Sequence, residues 1–89
     1  MTEYWQLAYE PSVAKWLKKA DPQVARKLRD ALTAVVRTGE PRSRGKGLTG
    51  PLAGLWRYRI GDYRAVCDIQ DGNLVVLVIE LGHRSDIYT

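Results

Sequence analysis

Six side chains in the second half of this sequence are of types that act on phosphate esters: Arg57, Arg59, Arg64, His83, Arg84 and Tyr88. Arginine stays protonated and offers a planar fork of donors matched to phosphate oxygens. Such groups stabilise the charge that builds on a phosphorane during RNA cleavage. Histidine is the natural proton shuttle near neutral pH, and tyrosine stacks on a base or donates a proton. RNA cleavage by attack of the 2′-hydroxyl needs alignment with the scissile phosphate and no metal; it fails on DNA. The chain holds one His and one Cys, and its acids lack metal-ligand spacing, so no metal centre is expected. Gly45-Lys46-Gly47-Leu48-Thr49-Gly50 lacks the order of a phosphate-binding loop, and no cofactor is expected.

Three of these arginines lie in Trp56-Arg57-Tyr58-Arg59-Ile60-Gly61-Asp62-Tyr63-Arg64. Strand side chains alternate, so Trp56, Tyr58 and Ile60 share one face, and Arg57 and Arg59 the other. A two-residue turn at Gly61-Asp62 pairs Ile60 with Tyr63 and Arg59 with Arg64. Like charges opposite each other cost stability. Their placement points to an anionic ligand, with a polyanion such as RNA as first candidate. The same residues also fit the wet face of an ordinary half-exposed strand.

The remaining elements follow from periodicity. Thr2 to Tyr9 reads as a first strand. Val13, Trp16, Leu17 and Ala20 form a helical stripe behind Pro11. Asp21-Pro22 ends that helix and caps the next, whose stripe Val24, Leu28, Ala31, Leu32 and Val35 runs to about Thr38, with Gly39 as the stop. Residues 39–55 read as a long loop without structure of its own. Its Arg42, Arg44 and Lys46 are candidates for a nucleic-acid backbone, and Leu48, Leu52 and Leu55 for anchors. Strands are expected at Trp56–Ile60, Tyr63–Gln70 and Leu74–Leu81, with Cys67 pointing inward. A three-residue turn at Asp71-Gly72-Asn73 would put Val75, Leu77, Ile79 and Leu81 against the helices, and Val76, Val78 and Glu80 on Arg64's face. Residues 82–89 read as a polar tail. The fold class is α+β: a mainly antiparallel sheet of about four strands with an N-terminal helical hairpin packed on one face.

Eighty-nine residues make a single domain, 1–89, better suited to a working surface than a deep pocket. The net charge of +4 is uneven: residues 37–64 carry seven basic side chains against Glu40 and Asp62. That surplus favours nucleic acid or an acidic protein partner. A lone cysteine excludes an internal disulfide framework. No apolar run or leader signals a membrane span or secretion, and a cytoplasmic location is expected.

The chain resembles the RelE/ParE superfamily of toxins from type II toxin–antitoxin pairs. The resemblance is carried by Leu52-Ala53-Gly54-Leu55-Trp56-Arg57-Tyr58-Arg59-Ile60-Gly61-Asp62-Tyr63-Arg64 and by Gly82-His83-Arg84-Ser85-Asp86-Ile87-Tyr88. It implies a RelE-like domain and, on the RelE branch, a metal-independent endoribonuclease that cuts mRNA on the ribosome. By motif, Arg57 and Arg59 stand where that branch often has two lysines. Arg64 matches the arginine after the turn, Arg84 the arginine after the last long strand, and Tyr88 the late tyrosine. His83 fits the Gly-His-Arg variant. Arg57 departs from the lysine proposed as general base, since a guanidinium hardly deprotonates; His83 or Tyr88 would then carry the proton. The chain also stops one residue after Tyr88, without the C-terminal helix of some members.

The partners implied are an acidic antitoxin that covers the basic surface, the ribosome and mRNA, and operator DNA when antitoxin is bound; no membrane is expected. Two other readings stay open. One is a ParE-like toxin that binds and inhibits DNA gyrase without catalysis. The other is an activity-reduced homologue that binds antitoxin or nucleic acid.

Overall fold

The computed structural model of the chain describes residues 5–86. Tyr88 and the Thr2–Tyr4 start of the expected first strand lie outside them. The elements run β1 (Gln6–Tyr9), α1 (Pro11–Lys19), α2 (Pro22–Arg37), β2 (Lys46–Gly47), β3 (Trp56–Ile60), β4 (Tyr63–Gln70) and β5 (Val75–His83). One five-stranded sheet has the order β1-β5-β4-β3-β2. β1 runs parallel to β5, and the other pairings are antiparallel. The expected α+β class and the helical hairpin on one face hold; β2, inside the presumed loop, adds a fifth strand.

The helix boundaries follow from backbone chemistry. Asp21 accepts the Gln23 and Val24 N–H groups at 2.8 and 3.4 Å, supplying partners for two orphan donors of α2. Pro11 and Pro22 sit at the first helical positions, where a missing N–H is no loss. Past the end of α2, Gly39 takes φ +76° and its N–H reaches the Val36 carbonyl at 3.1 Å, which stops the helix.

The core lies between hairpin and sheet. Val13 and Leu17 of α1 and Leu28, Leu32 and Val35 of α2 pack against Tyr58, Ile60, Ala65, Cys67, Ile69, Val76, Val78 and Leu81. Each large aliphatic side chain buried this way contributes roughly 1.5–3 kcal/mol. Neither helix is long enough to be stable without that burial.

The β4–β5 connection differs from expectation. Gln70 pairs with Val75, so the turn spans four residues, Asp71 to Leu74, and Leu74 adopts φ +54°. The longer turn shifts the alternation, and Val76 and Val78, not Val75 and Leu77, face the helices. Between Val66 and Cys67 the pairing jumps from Glu80 to Val78. Ile79 is the extra residue of this bulge, and it returns Leu81 to the core and Glu80 to the open face. β5 then continues through Gly82 and His83, which belong to the sheet and not to a tail.

Candidate functional site

The open face of the sheet, opposite the helices, collects the basic residues. Arg59 pairs with Arg64, and Arg64 with Gly82. In the next row Lys46 pairs with Arg57, Arg57 with Val66, and Val66 with Glu80. Residues paired across neighbouring strands share a face, so four cations gather on β2, β3 and β4. Gly82 leaves the β5 side of Arg64 without a side chain. Arg64 Nη1 donates to the Tyr63 and Gly61 carbonyls at 3.2 and 3.5 Å, which holds the guanidinium at the hairpin turn. Gly45, Lys46, Arg57 and Arg59 line a shallow cleft of about 440 Å³. The arrangement can grip an anionic group: the Arg64 guanidinium is held at the turn, and repulsion among the four cations is relieved when the group binds.

The connector expected to lack structure is anchored and brings Lys46 to this face. Tyr58 OH donates to the Pro41 carbonyl at 2.6 Å, and Trp56 Nε1 to the Arg44 carbonyl at 2.7 Å. Burial raises the Tyr58 phenol above its ordinary pKa, so it remains a donor well into alkaline pH. Gly45, at φ +80°, lies against β3; a β-carbon there would run into the Arg57 carbonyl, with Trp56 Nε1 at 2.7 Å and Tyr58 Cδ1 at 2.8 Å. Sequence offered no local signal for these anchors, because each acceptor is a main-chain carbonyl.

Other expected site residues are placed elsewhere. Arg42 makes a two-point ion pair with Asp71, both contacts at 2.8 Å. This lies at the far end of β4 from Arg64, roughly 24 Å away at 3.4 Å per residue. The pairing raises the Arg42 pKa and lowers that of Asp71. His83 pairs with Tyr63 on the helix side of the sheet. There Trp16, Tyr63 and His83 form a ladder of edge-on rings, with centroids 6.1 and 5.6 Å apart. His83 Nδ1 accepts the Ser85 backbone N–H at 3.2 Å and contacts Ser85 Oγ at 2.9 Å. With Nδ1 as the acceptor, the ring nitrogen left to donate is Nε2. Its accepting nitrogen is occupied within the turn. The Arg84 N–H donates to the Asp62 carbonyl at 2.8 Å, which puts its backbone at the same end of the sheet as Arg59 and Arg64.

Cys67 is fully buried, and burial pushes its thiol up to about 12. A thiol that seldom ionises is a poor nucleophile. Among the described residues, no group of three or more His, Cys, Asp or Glu could hold a metal ion, and no helix is long and apolar enough to cross a membrane.

Residues 7–88 match the model of a family described as the ParE toxin of the type II toxin–antitoxin system parDE. Over 49 residues the chain is 41% identical to Toxin RelG of Mycobacterium tuberculosis, a match spanning 55% of this chain and 56% of that one. The chain thus spans about half the length of the curated relative it matches. The toxin–antitoxin complex RelBE2 of M. tuberculosis has a similar chain, with a TM-score of 0.82 and 24% identity over 92% of this chain and all of that one. The isolated RelE toxin of E. coli gives 0.71 and 23%, covering 91% and 84%. The YoeB/ParE toxin of Agrobacterium tumefaciens gives 0.69 and 22%, covering 88% and 96%. At such identities the likeness concerns the fold alone.

Proposed function

We propose that this chain, which belongs to the ParE toxin family of type II toxin–antitoxin systems, is a toxin that works by binding through its basic sheet face. Its target on this reading is DNA gyrase, and a cognate antitoxin with an acidic segment holds it inactive by covering the same face. The observation that carries this reading is the separation of the arginines from the chain's one imidazole. Lys46, Arg57, Arg59 and Arg64 share the open face, while His83 lies on the helix side with Nδ1 engaged by Ser85. A cationic surface steers and grips an acidic partner without needing a proton-transfer group. The structures of relatives solved as RelBE and YoeB–YefM complexes support the antitoxin as a partner.

A second reading rests on the direct opposition of Arg59 and Arg64 beside Gly82, which fits a phosphate held between two guanidiniums, and on the identity to Toxin RelG. In that reading the ribosome aligns the 2′-hydroxyl of bound mRNA, and the arginines stabilise the charge at the phosphorus. Two assays on the purified chain decide between the readings. Loss of gyrase supercoiling with intact message, relieved in the Arg59→Ala/Arg64→Ala variant, supports the binding toxin. Cuts confined to ribosome-bound mRNA in primer extension, with gyrase unaffected, overturn it in favour of cleavage.

A further inference from the structure

The open face of the sheet changes character along its strands. Beyond the row that joins Arg57 to Glu80, it continues with two rows that carry no cation, Asp68–Leu77–Ala8 and Gln70–Val75–Gln6. Asp68 and Gln70 alternate along β4 with the core residues Cys67 and Ile69, which puts both rows on the side of Arg64. Ala8, Val75 and Leu77 are half-buried, and none of them belongs to the core or to the residues packed against it. They form an aliphatic strip across β1 and β5. Its border is ordered: Gln70 Nε2 donates to Asp68 Oδ2 and Asn73 Nδ2 to Gln70 Oε1, both at 3.1 Å. Along β4 the step from Arg64 to Asp68 is roughly 14 Å at 3.4 Å per residue. A standard interface covers about 800 Å² on each partner, a patch roughly 30 Å across, so one protein surface reaches both the arginines and the strip.

We propose that the partner gripped by the arginines also seats an aliphatic side chain on Leu77, flanked by Ala8 and Val75, and that this contact sets how long the complex lasts. The proposal rests on the reading of the chain as a gyrase-binding toxin and identifies a further part of the same face that the target covers. Two observations choose a folded protein surface as the occupant. The strip is continuous with the arginine rows through β4 and β5, so a partner docked on the cations overhangs it. Asp68 and the exposed Glu80 stand where the two regions meet. They repel a phosphate backbone running on from Arg64 toward β1, whereas a protein can set an acidic patch on one region and an aliphatic side chain on the other. The two regions then divide the work: exposed cations speed encounter, and a desolvated apolar anchor slows dissociation.

The test is surface plasmon resonance of the intact chain over immobilised gyrase, with supercoiling assays in parallel. Leu77→Ser should leave the association rate within about twofold of the parent and speed dissociation about tenfold, a loss of about 1.4 kcal/mol. Arg59→Ala/Arg64→Ala should show the opposite split, slower association with a flatter salt dependence. Leu77→Met should recover most of the lifetime that Leu77→Ser loses, and circular dichroism melts confirm that each variant folds. An unchanged dissociation rate in Leu77→Ser overturns the proposal and leaves the sheet-face reading standing, because the parent still binds gyrase. So does a loss confined to association, or Leu77→Met behaving as Leu77→Ser does. NMR shifts induced by a single-stranded RNA that extend from the Arg64 amide to the Ala8 and Leu77 amides overturn the choice of a protein as occupant. Absence of gyrase binding by the parent overturns both readings, so the two failures are told apart.

Discussion

Arg59 and Arg64 stand directly opposite each other across the β3–β4 hairpin, two guanidinium-bearing residues on one face of neighbouring strands. Like charges so placed destabilise a sheet. The fold keeps Arg64 beside its own turn carbonyls and leaves Arg59 exposed. Arg59→Thr should therefore raise stability by about 0.5 kcal/mol, or roughly 2–4 °C in Tm for a domain of this size, while relieving growth inhibition in cells that express the chain. A more stable variant of undiminished toxicity would show that the arginine face is not the working surface.

The Tyr58 hydroxyl holds the connector at Pro41 from within the core. Tyr58→Phe keeps the ring and leaves that carbonyl without its donor. The expected cost is about 1–2 kcal/mol in denaturant unfolding, with faster amide exchange across residues 41–47. Unchanged exchange there would mean that other contacts hold the connector.

Gly45 combines a positive φ with close approach to β3. Gly45→Ala should cost about 2 kcal/mol or more, since backbone strain and overpacking act together. Lys46 would separate from Arg57, and weaker target binding should accompany the loss of stability. A variant equal to the parent in both would contradict the packing described.

The Asp21 cap predicts that Asp21→Ala lowers stability by about 1 kcal/mol, seen as a fall of roughly 4–8 °C in Tm. Asp21→Asn should recover most of it, because the amide oxygen still accepts the Gln23 and Val24 N–H groups.

Alkaline pH should unfold the chain by way of Cys67. Burial holds the folded thiol protonated, with its pKa raised from 9.0 to about 12. Its contribution is complete below about pH 9, where the unfolded thiol also keeps its proton, and falls away as pH rises toward 12. The greatest slope is about 1.4 kcal/mol per pH unit. Tyr58 and Tyr9, whose phenols burial also raises, add in the same direction. Urea midpoints should therefore drop between about pH 9 and 12; they should drop less in Cys67→Ala, and iodoacetamide should leave the native thiol unmodified. Rapid native-state alkylation would contradict the burial of Cys67.

What the sequence revealed depended on where the signal lay. Asp21-Pro22 marks a helix boundary because its chemistry is local, and the β3–β4 register followed from Gly61-Asp62 with an unbroken alternation on both sides. The β4–β5 register differs from expectation because the turn runs on through Leu74, whose φ of +54° falls on a residue type that does not announce it. Every residue from Leu74 to Ile79 is apolar, so either face would have suited the core. Lys46 was recognised as a basic candidate, but its place beside Arg57 depends on the Tyr58 and Trp56 anchors to main-chain carbonyls. His83 kept company with the arginines in sequence and parted from them in space, because the bulge and the extension of β5 decide which face it takes.

The parallel pairing of β1 with β5 has a consequence for the order of synthesis. Gln6 must wait for Val75, and β5 enters the sheet between β1 and β4. A nascent chain that has not yet released β5 has both helices and the β3–β4 hairpin, but its first strand has no neighbour and the hydrophobic stripes of its helices have only half a platform. Closing so distant a pairing is slow. The sheet is therefore closed, and the helix stripes fully covered, only once β5 has left the ribosome.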